Sequence, residues 1–196
     1  MSNLPIGILL AAGQSSRFGA NKLLHPVADD TPMLIMSAKA LTNVLPGSVA
    51  VINQRLASCT PQLEELGMKV VINKHAESGI GSSIACGIRA CEHASEYFSG
   101  WLIALADMPY IKPDTISLLA EKMRGGADIV APVYKYQRGH PVGFRHRYQS
   151  ELMALNEDVG ARDIINRNLD KLELVMVNDA GVMKDIDHAS ELSEPG

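Results

Sequence analysis

The stretch Ile6-Gly-Ile-Leu-Leu-Ala-Ala-Gly13-Gln-Ser-Ser-Arg17-Phe-Gly19-Ala-Asn-Lys22-Leu-Leu24 decides the fold. Its opening run, Ile6–Ala11, is short, apolar and followed by glycine. A run of this kind reads as a strand covered on both faces, which belongs in a parallel sheet with helices packed on each side. Leu10, Ala11, Ala12 and Gly13 then open a loop whose small residues let the backbone approach a ligand closely. Successive N–H groups joined by Arg17 and Lys22 make a cradle for a polyphosphate. Two familiar phosphate loops fail on spacing. Gly13 and Gly19 do not make a G-x-G-x-x-G fingerprint, and Lys22 lies three residues after Gly19 where a P-loop needs Gly-Lys-Ser/Thr together. The plain alternative is a strand–helix connection whose Arg and Lys are merely solvated.

Outward from this stretch the pattern alternates strand and helix. Apolar runs at Val49–Ile52, Val70–Ile72, Trp101–Ala106 and Ile129–Ala131 predict further buried strands. Helical spacing appears over Met33–Leu41, Leu63–Leu66 (closed by Gly67), Ser82–Ala94 and Pro113–Met123, the last with proline in its first turn. After Pro132 the regularity breaks. Val133–Tyr136 and Pro141–Phe144 flank Gln137-Arg138-Gly139-His140, which reads as a hairpin or exposed turn. Helical signal returns at Tyr148–Leu155 and Ala161–Asn166, and Leu172–Val177 and Val182–Ile186 are late strand candidates. The expectation is an α/β fold in one domain over residues 1–196, with the sheet in the first two-thirds and the last third walling an acceptor pocket.

Ligands of an open parallel sheet bind beyond the carboxyl ends of its strands. Asp107, in Leu105-Ala-Asp107-Met-Pro109, sits at such an end and suits a divalent cation, since Mg²⁺ is commonly held by one or two carboxylates plus substrate phosphates. It serves equally as a turn cap before Pro109. Asn73 and the loop Glu77-Ser-Gly79-Ile-Gly-Ser-Ser83 open a helix whose N–H groups can meet phosphate, ribose or base; simple capping by serine is the other reading. His140, between Gly139 and Pro141, reads as an acceptor-site donor or proton shuttle rather than a core histidine, or else its segment only shapes a wall. Asp158-Val-Gly-Ala-Arg162 joins small residues to a cation, and Asp185-Ile-Asp187 ends the last strand candidate; both also suit solvated loop charge.

The 196 residues carry a net charge of −4, with 46% hydrophobic and 20% charged residues. This excludes disorder, a collagen-like repeat and a disulfide scaffold, and supplies no basic field for nucleic acid or an anionic membrane. Cys59, Cys86 and Cys91 cannot all pair within the chain, which favours a reducing compartment. Leu4–Ala12 is too short to span a membrane and no Lys or Arg precedes it as in a signal peptide. The expected location is the cytoplasm.

These residues together resemble a known family. Leu10–Leu24 is similar to the L-A-A-G-x-S-x-R-F-G-x-x-K loop of the MobA-like nucleotidyltransferases. Asn73…Gly79-Ile-Gly-Ser-Ser83-Ile-Ala-Cys-Gly87, Asp107-Met-Pro109, Arg138-Gly-His-Pro-Val-Gly-Phe144 and Asp185-Ile-Asp187…Glu191-Leu192 follow in the order of the MocA branch, the molybdenum cofactor cytidylyltransferases. The resemblance implies a Rossmann-like three-layer α/β/α sandwich of the nucleotide-diphospho-sugar transferase type and transfer of CMP from CTP to a phosphorylated pterin. It implies a catalytic set of Arg17, Lys22 and Asp107, and nucleotide binding by Leu10, Ala11, Ala12, Gly13, Arg17, Lys22, Asn73, Gly79 and Ser83. The acceptor would meet His140, Pro141, Gly143, Asp158 and Arg162. Mg²⁺ or Mn²⁺ would sit on Asp107 and Asp187, with Asp185 as the competing second ligand. His188-Ala189 replace the family's Thr-Pro, and Glu157 replaces the Gly of G-D-x-G-A-R. The implied partners are CTP, the pterin, and a molybdoenzyme or its maturation chaperone. Alternatives are another phosphorylated acceptor, such as a sugar phosphate or other cofactor, and a nucleotide-binding accessory protein without turnover. A nicotinamide dehydrogenase is disfavoured by the absent fingerprint.

Overall fold

The computed structural model describes residues 4–13, 22–92, 98–156 and 158–186. In chain order the elements are β1 (Ile6–Ala11), β2 (Pro26–Ala28), β3 (Thr31–Pro32), α1 (Met33–Thr42), β4 (Val49–Ile52), α2 (Thr60–Glu65), β5 (Lys69–Ile72) and α3 (Ile80–Ala90). They continue with β6 (Gly100–Leu105), α4 (Pro113–Arg124), β7 (Ile129–Tyr134), β8 (Gln137–Arg138), β9 (Val142–Arg145), α5 (Gln149–Met153), α6 (Arg162–Arg167) and β10 (Leu172–Met176).

The main sheet runs β10-β7-β9-β6-β1-β4-β5, with β8 paired to β7. β1 pairs in parallel with β4 and β6, β4 with β5, and β10 with β7. β9 is antiparallel to both β6 and β7. Alternate residues of each strand face opposite layers. Leu9, Ala50, Leu102 and Val130 pack beneath α1, α2 and α4; Ile8, Val51, Ile103 and Ile129 pack beneath α3, α5 and α6. The chain is therefore a mixed α/β fold with a mostly parallel central sheet between two helical layers, as its apolar strands require.

Local chemistry sets the helix ends. α4 begins with Pro113, carries Asp114 in its first turn and has Lys122 and Arg124 in its last, each matched to the helix dipole. α3 starts at Ile80, two residues before the serines expected to open it, and stops at Ala90. Its N-cap is Gly79, and the Ser82 hydroxyl turns back to donate to the carbonyls of His75 and Gly79, both at 2.8 Å. A methyl on Gly87 would stand 2.7 Å from Ile8 Cγ2, so only glycine lets α3 lie this close to β1.

Three segments depart from the sequence reading. The hairpin after Pro132 turns earlier than expected: Lys135 and Tyr136 form its tip at φ of 47° and 66°, and Gln137–Arg138 pairs back as β8. β2 and β3 form a small antiparallel ribbon turned by Asp29 and Asp30, both at positive φ. Val182–Ile186 is not a strand. Residues Ala180–Met183 make a 3₁₀ turn, and the segment spends its backbone hydrogen bonds on loops instead of a ladder.

Candidate functional site

The strand order reverses between β1 and β6. From β1 the chain moves outward through β4 and β5, then returns to β6 on the other side of β1. Loops leaving the carboxyl ends of two strands at such a switch point diverge and leave a crevice. A cleft of about 510 Å³ lies there. Leu10–Gly13, Lys22 and Leu23 line it from the first loop, 76–80 and Ser83 from the start of α3, and Leu105 and Asp107 from the end of β6.

Lys22 and Asp107 meet across this cleft, Nζ to Oδ2 at 2.9 Å, with both side chains mostly covered. The other carboxylate oxygen, Oδ1, is buried and has no hydrogen-bond partner among the described residues. An anionic oxygen in that state is costly unless something positive completes it. The oxygen's chemistry and its place at the strand end fit a hard divalent cation. The described residues contain no cluster of three or more His, Cys, Asp or Glu that could hold a metal by themselves. Asp107 thus offers one carboxylate, and a cation held there would need substrate phosphate, or a further carboxylate, to complete its shell.

The start of α3 forms the opposite wall. Gly79 has φ 98° and ψ −178°, a conformation open to glycine, and a Cβ there would stand 2.7 Å from the Asp158 backbone. Ile80 N–H points at Asp158 Oδ1, 3.5 Å away. Asp158 therefore lines the cleft itself rather than the acceptor side, and its carboxylate faces the electropositive end of the helix. Of the two residues expected at the nucleotide, Ser83 lines the cleft and Asn73 does not. Asn73 is buried behind the loop, where Nδ2 donates to Ser82 and Ser83 hydroxyls and Oδ1 accepts from His75 N–H. It organises the loop from beneath.

A second cavity, of about 270 Å³, opens beside the cleft and shares Leu10, Ile80 and Leu105 with it. Its walls are Ile84, Ile103, Val142, Phe144 and Ile165; its polar side chains are Arg138, His140 and Arg162. β9 explains how His140 arrives. Because it runs against its neighbours, its first residues emerge at the edge where β6 and β7 end. His140 is half-buried rather than held on an exposed turn, and its Nδ1 is buried without a partner among the described residues. Burial pushes its pKa below the ordinary value, against the opposing pull of the Asp107 carboxylate. Pro141, joined to His140 by a cis peptide bond, is buried but does not line the cavity. Gly143 is a correction: its ladder partners are Leu102 and Val130, and a Cβ there would run into Met123 and Val130. It faces α4, on the far side of the sheet from the second cavity, and is small to admit that helix.

Arg17 and Asp187 lie outside the described residues. Up to Ile186 the path is clear: Ile186 N–H donates to the Asp107 carbonyl at 3.0 Å, while Asp185 is exposed. Two residues escaped the sequence reading. Asn53 donates to the carbonyls of Ala12 and Gly13 at 3.1 and 3.3 Å, fixing the entry to the first loop. Asp179 is buried and accepts three hydrogen bonds. An Asn directly after an apolar strand was the available signal for the first; nothing local marked the second. The cysteines act as packing. Burial raises the pKa of all three, that of Cys91 to about 11, which leaves little thiolate for nucleophilic work.

A family model described as the MobA-like NTP transferase domain matches residues 7–172. The chain belongs to that family. This MobA-like chain is 25% identical over 87% of its length, and 77% of the relative's, to a probable molybdenum cofactor guanylyltransferase of Thermococcus sibiricus. It is 28% identical to the bifunctional protein GlmU of Agrobacterium fabrum, covering 83% of this chain but 36% of GlmU. Its fold matches the crystal structure of Rv0371c from Mycobacterium tuberculosis H37Rv with a TM-score of 0.83 at 20% identity, covering 97% and 96% of the two chains. A manganese complex of Rv0371c matches at 0.73 and 21% identity, over 89% and 88%. By family the chain is a nucleotidyltransferase. No helix among its described residues is long and apolar enough to cross a membrane.

Proposed function

We propose that this nucleotidyltransferase transfers CMP from CTP to the terminal phosphate of molybdopterin or its metal-loaded form, releasing pyrophosphate. The observation that carries the acceptor class is the cavity beside the cleft. It is walled by Leu10, Ile84, Ile103, Val142, Phe144 and Ile165 and offers three polar side chains, Arg138, His140 and Arg162. That lining suits a flat heterocycle bearing an anion. A hexose phosphate would leave several hydroxyls without partners, each costly to bury. The relative named for molybdenum cofactor guanylyl transfer supports the same acceptor class.

An acceptor phosphate oxygen attacks the α-phosphorus in line, a new P–O bond forms, and the bond to the β-phosphate breaks with its electron pair leaving on pyrophosphate. A phosphate monoester has a second pKa of about 6, so it arrives largely ionised and needs no general base. The protein's contribution is placement and charge neutralisation. Gly13 and the first loop approach the triphosphate, Lys22 and Arg17 offset its charge, and the start of α3 meets ribose and base. Asp107, with Asp187 as the second carboxylate, would hold Mg²⁺ or Mn²⁺, which supplies positive charge at the α-phosphate when bound. The manganese complex of Rv0371c supports a divalent ion in this fold.

CTP is favoured over GTP by the resemblance of the Ala11-Ala12-Gly13 entry and of the Gly-Ser segment at 79–83 to the cytidylyl rather than the guanylyl branch. The nucleotidylated cofactor would pass to a molybdoenzyme or its maturation chaperone. The test is a panel of four NTPs against molybdopterin with and without molybdenum, scored by pyrophosphate release. Release with CTP and either pterin is the expected result. Equal or higher kcat/KM with GTP defeats the base assignment, and release only with sugar phosphates defeats the acceptor.

A further inference from the structure

Asp179 lies outside the cleft, yet its surroundings tie it to the cleft's carboxylate. It is 2% exposed, and its oxygens accept from Lys112 N–H at 2.9 Å, Thr115 Oγ1 at 2.7 Å and Gly181 N–H at 3.0 Å. A carboxylate this deep is costly unless fully paired; two donors at the start of α4 and one, Gly181 N–H, in its own turn supply that pairing. From Asp179 the chain runs back along the loop that carries Asp107. Gly181 packs on the Tyr110 carbonyl so closely that a methyl would overlap it. Val182 carbonyl accepts from His140 N–H at 2.9 Å, and Ile186 N–H donates to the Asp107 carbonyl at 3.0 Å. The loop 107–112 is therefore held at both ends by one segment: at Asp107 by Ile186 and at Lys112 by Asp179. The same segment holds His140 in the wall of the second cavity.

We propose that Asp179 is a positioning residue: it anchors the strap 179–186, which fixes the Asp107 carboxylate and His140 in one register. The inference rests on the metal assignment made above. A residue supporting a metal ligand from behind typically changes metal affinity by about 10- to 100-fold when altered. Asp179 acts through the backbone, so the lower end of that range is expected. A residue that merely stabilised the fold would lower Tm and leave metal affinity alone.

The experiment titrates Mn²⁺ into the full chain with CTP present and acceptor absent, reading free Mn²⁺ by electron paramagnetic resonance. Asp179→Asn keeps the shape and loses the charge. Thr115→Val removes one donor, and Thr115→Ser restores it. Leu152→Ala, a core change in α5, serves as a destabilised reference. The expected result is Mn²⁺ affinity weakened about tenfold in Asp179→Asn, a smaller loss in Thr115→Val, and wild-type affinity in Thr115→Ser and Leu152→Ala. Wild-type affinity in Asp179→Asn with only a lowered Tm overturns the proposal. So does Asp107→Asn binding Mn²⁺ as tightly as wild type, or a wild-type chain that takes up no Mn²⁺ with CTP. Tight Mn²⁺ binding here, with no pyrophosphate release once the pterin is added in the separate NTP panel, defeats the proposed reaction alone, and the Asp179 comparison still reads.

Discussion

Lys22 Nζ and Asp107 Oδ2 stand 2.9 Å apart across the reversal in strand order, the ammonium on the loop that follows β1 and the carboxylate at the end of β6. On the proposed reaction the two would have different work: the ammonium would meet charge that grows on the departing pyrophosphate, and the carboxylate would turn its buried Oδ1 to a cation. Lys22→Ala is expected to lower kcat on the order of 10²–10³-fold, the usual loss for one electrostatic donor that acts in the transition state. KM for CTP should change far less. Steady-state pyrophosphate release reads both, and a normal kcat with a raised KM contradicts the role.

Asp107→Asn should raise the Mg²⁺ concentration needed for half-maximal turnover and cut kcat. Asp187→Asn should do the same, since Ile186 delivers the chain to the Asp107 carbonyl. Asp185, which is exposed, is the comparison. Asp185→Asn should leave the Mg²⁺ requirement near wild type. A Mg²⁺ titration in which the substitutions at 185 and 187 behave alike removes Asp187 as the second ligand.

The histidine of the second cavity gives stability a pH dependence. Burial, the largest influence, holds the His140 pKa below its ordinary 6.5. The unfolded chain then takes up this proton before the folded one does. Stability from this group is complete above about pH 6.5 and declines as pH falls through the window below it. The flanking Asp107 and Asp185 carboxylates and the Arg138 guanidinium move the lower bound without reversing the sign. His140→Gln, measured by denaturant unfolding with chelator present, should flatten the dependence between pH 6.5 and the acid limb. An unchanged slope would show that another group sets it.

Gly79→Ala places a methyl 2.7 Å from the Asp158 backbone at a φ of 98°. Backbone strain of this kind costs about 1–3 kcal/mol. The loop at Asp158 must also retreat from the cleft. The expected outcome is a lower unfolding midpoint together with a raised KM for CTP. Gly47→Ala, also at positive φ but in open space, should show the stability loss without the KM change.

The parts of this fold that were legible in the sequence are those whose signal is local. Ile6–Ala11 and Ile129–Ala131 are apolar because both faces of their strands are covered, and Pro113 marks a helix start wherever that helix packs. That Lys22 and Asp107 line one cleft was legible for a related reason: Asp107 stands just past the end of β6, Lys22 closes the loop that leaves β1, and neighbouring parallel strands end at the same edge of the sheet. The misreadings concern residues whose partners are remote. Gly143 was expected at the acceptor because it belongs to the segment Arg138–Phe144, yet period-two alternation turns it away from the cavity that Val142 and Phe144 line, and Met123 decides its size. Val182–Ile186 is apolar enough for a strand, but its N–H and C=O groups answer to His140 and Asp107. Asp179 is held by Lys112 and Thr115, more than sixty residues away in sequence. No window along the chain contains that relationship.

Among the described residues β9 is the one main-sheet strand antiparallel to both its neighbours, and it brings Val142 and Phe144 to the second cavity. On the proposed reaction, the ends of β1 and β6 would serve the nucleotide, while Arg138 of β8, Val142 and Phe144 of β9 and Arg162 and Ile165 of α6 would close around the acceptor against Ile103 of β6 and Ile84 of α3. Drift at those acceptor-side residues would then reshape which phosphorylated molecule is taken while leaving the proposed triphosphate loop intact. An engineer wishing to redirect this chain to a new phosphorylated acceptor should start at Arg138, Val142 and Arg162, and leave residues 10–24 alone.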